Sequence, residues 1–460
     1  MSESKQTNEL GTGSIPKLFF KLAIPAVVAQ LVNMLYNIVD RIYIGHIPEI
    51  GASALTGVGL FASIMMFITA FSMLAGAGGA PLASIALGKN DKNHAEKIMT
   101  NSFSLLLIFA VVLTVVIYIF APTLLTLFGA SEVTLPYAVD YARIYVLGTI
   151  FVLIVTGMNP FVTTQGFANI AMLTTIIGAV INIILDPIFI FVFDMGVKGA
   201  ALATVLSQAV GAIWILNFLT DEKTILKLHK ENMKLDPKVF GPTLALGISP
   251  FIMVSTESLL SISFTTSLAK FGGDVAVGAM TIITSINMLV TMPLQGFTQG
   301  GQPIMSYNYG AGNAARVKKA FFMQFGVCVG YAAIFWCLCM MIPNVLAGIF
   351  TTDTALVEYA SWALRIYMAG IFSVGFQLAC QQSFMALGQA KYSLIMALLR
   401  KIFLLIPLIF ILPNFFTDKV FAVFVAEPVS DIIAATVTTV LFLTQFKKIM
   451  AKTGQTQTRK

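Results

Sequence analysis

Five acidic side chains, Asp40, Asp186, Glu257, Glu427 and Asp431, stand inside apolar runs long enough to cross a membrane. An ionised side chain at that depth costs at least about 2.5 kcal/mol unless it is paired, hydrated or protonated. Asn33, Asn37 and Asp40 recur at i, i+4 and i+7, on one helical face, and Asn182 stands one turn before Asp186. If the helices carrying Asp40 and Asp186 face each other, their carboxylates and amides make an oxygen-rich pocket suited to a proton or a hard cation such as sodium. Asn159 and Thr204 can complete it. Ordinary interhelical hydrogen bonding is the competing reading, and it suits Asn33 and Asn37 better than two costly carboxylates.

The elements that must carry these residues are membrane helices. The chain of 460 residues is 57% apolar and only 11% charged, about half the charge of a soluble globular protein. Apolar runs bounded by charged or turn residues give spans near 17–45, 52–87, 98–128, 137–165, 169–193, 199–219, 240–270, 276–307, 317–349, 358–387, 391–413 and 419–446. Of 28 basic residues, 20 fall on the side that holds both ends, and six (Arg41, Arg143, Lys198, Lys270, Arg365 and Lys419) fall on the other. That bias predicts both termini in the cytoplasm of a multi-pass plasma-membrane protein. The polar start lacks the apolar core and cleavage site of a signal peptide.

A net charge of +7 is spread over short interhelical loops, so nucleic acid is not an expected partner. Cys328, Cys337, Cys339 and Cys380 lie in apolar stretches and read as core thiols. His46, His94 and His229 fall near the membrane surfaces, which predicts no histidine metal cluster. No His/Cys/Asp constellation of catalytic spacing occurs, so the chain is not expected to be an enzyme.

Shifting the chain by 222 residues aligns Gly78, Gly79, Pro81 and Gly88 with Gly300, Gly301, Pro303 and Gly310, without a gap. The same register pairs Phe128, Tyr137, Arg143, Tyr145, Gly148 and Gly166 with Phe350, Tyr359, Arg365, Tyr367, Gly370 and Gly388. The fold expected is an all-α membrane protein, with twelve transmembrane helices in two six-helix bundles related by a parallel repeat. Its parts are a cytoplasmic tail (1–15), an N-terminal bundle (16–219), a linker (220–238), a C-terminal bundle (239–446) and a second tail (447–460). Two such bundles can rock about a central cavity and open it to either side in turn.

The second half departs from the first. Leu404 and Leu408 stand in the register of Asn182 and Asp186, and 259–269 holds no acid to match Asp40. Instead there are Glu257, the basic pair Arg400 and Lys401, and the i, i+4 pair Glu427 and Asp431, for which a salt-bridged network is one reading. Pro25 on the first helix removes a backbone hydrogen bond and can serve as a hinge that moves Asp40, or as a static kink. Pro187 can loosen the helix just after Asp186.

These residues resemble the multidrug and toxic compound extrusion (MATE) transporters, over about residues 15–446. The resemblance is carried by Ala23-Ile24-Pro25 with Asn37-Ile38-Val39-Asp40, by Asn182 to Pro187, by Gly199 to Thr204, and by Gln302-Pro303 with Asn308-Tyr309-Gly310. It implies a V-shaped pair of bundles that exports organic cations or other amphipathic compounds in exchange for sodium or protons. It also implies a cation site of Asp40, Asn182, Asp186, Asn159 and Thr204. Glu257 looks like the coupling acid that some branches carry on the seventh helix, but those branches pair it with an acid on the tenth, and 366–387 holds none. No cofactor is expected beyond the coupling ion, and no metal beyond sodium. The expected partners are small organic substrates and the lipid bilayer, with the chain acting as a monomer. A flippase for a lipid-linked precursor is the alternative, although it favours a basic cavity over intramembrane acids.

Overall fold

The computed structural model describes residues 9–457, and no strand occurs among them. Lys5, Arg459 and Lys460, counted above with the basic tails, lie outside the described residues. Six helices make the first half: α1 (Ile15–Gly45), α2 (Gly51–Gly88), α3 (Lys92–Leu127), α4 (Leu135–Leu147 with Thr149–Thr164), α5 (Ala168–Val192) and α6 (Val197–Thr220). A 74-residue helical run, Pro237–Gly310, follows. At about 1.5 Å per residue it is far longer than a hydrocarbon core of about 30 Å, so it must be two spans. Gly273 divides it, with φ 64° and ψ −160°, a conformation open to glycine. The parts are α7 (237–272) and α8 (274–310). Then come α9 (Ala314–Met341), α10 (Thr354–Ala386), α11 (Ala390–Asn414) and α12 (Lys419–Gln457). Among the described residues, twelve apolar helices are therefore long enough to cross a membrane.

Span boundaries follow local chemistry. α9 ends at Met341, short of the expected 349, because Pro343 drives Ile342 out of helical geometry (φ −129°, ψ 44°), and a short helix Pro343–Gly348 follows. α4 bends by 59° at Gly148. α12 continues past the expected 446 to Gln457.

The repeat extends to the turns. Asp91 caps α3 by accepting from the His94 amide, and Asn313, 222 residues on, caps α9 by accepting from the Arg316 amide. The residue before each cap is left-handed, Asn90 at φ 61° and Gly312 at φ 78°. Gly148 at the α4 bend is matched by Gly370, where a 3-10 turn interrupts α10.

Each half has its own apolar core, and a third core joins them. Leu10, Leu18, Phe19, Leu22 and Ala23 pack with Ile304, Phe321, Phe384 and Phe442 of the second half, so the first turns of α1 belong to the C-terminal bundle's packing. Reciprocally, Val239 and Phe240 at the start of α7 pack into the N-terminal core. The closest contacts between halves concentrate at this end. Gly78 lies against the backbone of Thr243 and Gly247, Gly300 against that of Ala23, and Gly88 against the Tyr307 carbonyl. Farther along α1 and α7, Leu35, Ile38, Leu259 and Ile262 are exposed.

One expectation needs amending and one completing. Cys328, Cys339 and Cys380 are buried but Cys337 is exposed, because α9 turns that face outward. The second concerns only how the 220–238 linker is held, which the sequence left open. The buried Gln165 side chain accepts hydrogen bonds at 2.8 Å from the Thr224 hydroxyl and the Ile225 and Leu226 amides. Asn101 accepts from the Asp236 amide at 2.9 Å, and Glu96 from the Lys227 amide at 3.1 Å. The segment is thus fastened to the N-terminal half.

Candidate cation-binding site

Asp40 lies late on α1 and is 9% exposed; Asp186 lies late on α5 and is fully buried. The two helices pack along each other, and the two carboxyl groups lie close enough to interact electrostatically. Two unit charges about 4 Å apart repel by about 4 kcal/mol at an effective dielectric of 20, so such a pair requires a shared positive charge. α5 changes from α to π geometry over Ile188–Val192, directly after Asp186 and Pro187. The expected loosening of the ladder therefore takes the form of a π-turn, a feature common at functional positions.

Asn182, one turn before Asp186, donates through Nδ2 to Asp186 Oδ1 at 3.2 Å and to Thr204 Oγ1 at 3.4 Å. Thr204, on α6, donates to the Ala200 carbonyl at 3.1 Å. These bonds use the donors of the cluster and leave acceptors over. Asp40 Oδ1, Asp186 Oδ2 and Asn182 Oδ1 are buried oxygens with no hydrogen-bond partner. Leaving a buried acceptor unpaired costs roughly 1–3 kcal/mol, so these three oxygens are available to a proton or a cation. Oxygen ligands from carboxylate, amide and hydroxyl groups are the donor set of a hard cation.

Asn159 is not part of this cluster. Its Nδ2 donates to the Ala171 carbonyl at 3.1 Å, and Ala171 is about 16 Å along α5 from Asn182 at 1.5 Å per residue. The packing of the first part of α4 on α6 instead brings Tyr141 near Thr204 and Asp40. Tyr36 also lies near both carboxylates. The signal for Tyr36 was available, since it precedes Asp40 by one turn, whereas Tyr141 carries no spacing that points to the acids. Asn37 bonds back to the Asn33 carbonyl at 2.6 Å, as an interhelical role does not require. Pro25 sits within α1, which is continuous from Ile15 to Gly45.

In the second half the acids meet bases. Arg400 Nε donates to Asp431 Oδ1 at 2.7 Å and a guanidinium nitrogen to Glu427 Oε1 at 3.1 Å. Lys401 donates to the Met253 carbonyl at 2.7 Å and pairs with Glu257. Arg400 and Lys401 lie in a π-helical stretch of α11, Leu399–Leu405, and their carboxylate partners come from α7 and α12. The salt-bridged reading of these five residues describes what is found.

A family model described as MatE matches residues 25–188 and again residues 250–411. The multidrug export protein MepA of Staphylococcus haemolyticus is 26% identical over 427 residues, which cover 92% of each chain. MepA of Staphylococcus aureus is 25% identical over 420 residues, covering 89% of this chain and 90% of that protein. A solved outward-facing multidrug resistance MATE family transporter of the MOP superfamily superimposes with a TM-score of 0.89 at 24% identity, over 96% of this chain and 98% of that one. A MATE structure in the bent conformation gives 0.91 at 23% identity, over 98% and 99%.

Proposed function

The chain belongs to the MatE family, and from that premise we propose that it is a secondary active antiporter that exports organic cations or other amphipathic compounds in exchange for sodium ions or protons. The relatives it matches along nearly its whole length are named multidrug export proteins. The observation that carries the coupling is the nearness of Asp40 to Asp186, with one oxygen of each carboxyl and Asn182 Oδ1 lacking a hydrogen-bond partner.

Coupling follows from linkage. A cation bound between the carboxylates removes their repulsion and stabilises the arrangement of α1 on α5 that brings them together. A substrate that favours the arrangement in which they part is then exchanged against the ion, because each ligand shifts the equilibrium by its difference in affinity between states. Pro25, on the same helix as Asp40, is the proposed hinge. The acid pair lies within one chain, which supports a monomer as the working unit. The bias of basic loops supports cytoplasmic termini and extrusion away from that side.

The test is efflux of a fluorescent organic cation from proteoliposomes, with sodium and pH gradients imposed separately. One gradient should drive uphill export, and Asp40→Asn and Asp186→Asn should abolish it while folded protein remains in the membrane. Export at the unsubstituted rate in both variants would remove the assignment.

A further inference from the structure

The two halves build their polar clusters on equivalent helices, yet they satisfy them differently. In the first half the groups come from α1 (Asp40), α4 (Tyr141), α5 (Asn182 and Asp186) and α6 (Thr204). In the second they come from α7 (Glu257), α10 (Tyr367, Gln377 and Gln381), α11 (Arg400 and Lys401) and α12 (Glu427 and Asp431). A six-helix repeat maps α1, α4, α5 and α6 onto α7, α10, α11 and α12. Glu427 Oε2 and Gln377 Oε1 lack a donor just as Asp40 Oδ1 and Asp186 Oδ2 do, but only the C-terminal cluster contains its own cations, Arg400 and Lys401.

We infer that Lys401 is a tethered counter-ion, filling from within the protein the cation position beside Glu257 that the first half leaves to an exchangeable ion. The coupling ions are thereby confined to the N-terminal half. This rests on the reading of Asp40 and Asp186 as the exchangeable site. The Lys401 side chain is 5% exposed and that of Glu257 is 53% exposed. The ammonium therefore approaches the carboxylate from the protein interior, while Glu257 keeps an open side that an ion could otherwise reach. Residues 366–386 of α10 hold no carboxylate that would help to keep a free ion; Gln377 and Gln381 stand there instead. A tethered ammonium competes at a high effective concentration, and a free monovalent ion must displace it to bind. The other charged groups of the cluster are engaged with one another, Arg400 with Glu427 and Asp431.

The test counts ions bound per chain to the purified full-length protein in detergent, by equilibrium binding of radioactive sodium and by proton uptake on acidification. Relative to the unsubstituted protein, Lys401→Met should gain one sodium ion or proton, and adding Glu257→Gln should remove that gain. Glu257→Gln alone should leave the count unchanged, because it gives up no exchangeable ion. No gain in folded Lys401→Met, or a lost ion in Glu257→Gln, would overturn the inference. The second of these decides the matter if Lys401→Met fails to fold. Asp40→Asn and Asp186→Asn, measured alongside, report on the N-terminal site separately, so failure of the exchange reading would be seen in those variants and not in Lys401→Met.

Discussion

Gly88 and Gly310 occupy equivalent places in the two halves, and each packs against a carbonyl oxygen of the other half. A Cβ at Gly88 would lie 2.0 Å from the Tyr307 oxygen, and one at Gly310 would lie 2.0 Å from that of Ile85. Ile85 and Tyr307 are themselves 222 residues apart, so this is one contact made twice about the repeat axis. It fastens α2 to α8 at the end of the molecule where the halves are closest.

Gly88→Val or Gly310→Val should therefore part that end without damaging either bundle's own core. The backbone on the far side cannot yield as a flexible side chain would, so the closed arrangement loses population to one in which these ends are apart. Spin labels at Glu132 and Thr354, exposed on the opposite side, should move closer together in either variant. An unchanged distance distribution would show that the contact does not hold the end shut.

How far the site was legible depended on where its information resides. Asp40, Asn182 and Asp186 were readable because an acid in an apolar helix is costly and because the turn spacing survives into the structure. Thr204 joined them through its hydrogen bond from Asn182. Residue type says nothing of depth, and Asn159 lies apart from them in this structure, on a helix that bends. Tyr141 was missed for the complementary reason, since only the packing of α4 on α6 brings it to Thr204. Span count and repeat were legible because hydropathy and a constant 222-residue shift are properties of the chain itself. The docking of 220–238 was not, because its attachment depends on residues distant in the chain, Gln165, Asn101 and Glu96.

Thr204 and Asn159 separate site from scaffold. Thr204→Val removes an oxygen that accepts from Asn182, and the ion concentration giving half-maximal transport should rise about fivefold to tenfold, tenfold being 1.4 kcal/mol. Asn159→Leu should leave that concentration within about twofold, because its amide serves the Ala171 carbonyl. Initial efflux rates measured against ion concentration check both. Equal effects would place Asn159 back in the site.

Gln165 makes a sharper prediction about the segment between the halves. Gln165→Leu leaves the Thr224 hydroxyl and two buried amides without an acceptor, at roughly 1–3 kcal/mol for each such group. Local opening should become at least about tenfold more populated, and trypsin should cut at Lys223 and Lys227 correspondingly faster. Loss of transport is not required for this outcome, since the segment touches neither carboxylate. An unchanged cleavage rate would mean that the remaining bonds from Asn101 and Glu96 hold the segment by themselves.

Arg400 is the keystone of the C-terminal ionic cluster, because it alone answers both Glu427 and Asp431, whose side chains are 7% and 2% exposed. Arg400→Met leaves two buried carboxylates without a counter-charge, and breaking a buried pair in this way costs roughly 3–5 kcal/mol. The variant should melt well below the unsubstituted protein in detergent. Adding Glu427→Gln and Asp431→Asn should recover most of that loss, since replacing the whole set by neutral groups removes the desolvation cost along with the attraction. Recovery would identify charge imbalance as the cause. A triple variant no more stable than Arg400→Met would show that the guanidinium acts through packing.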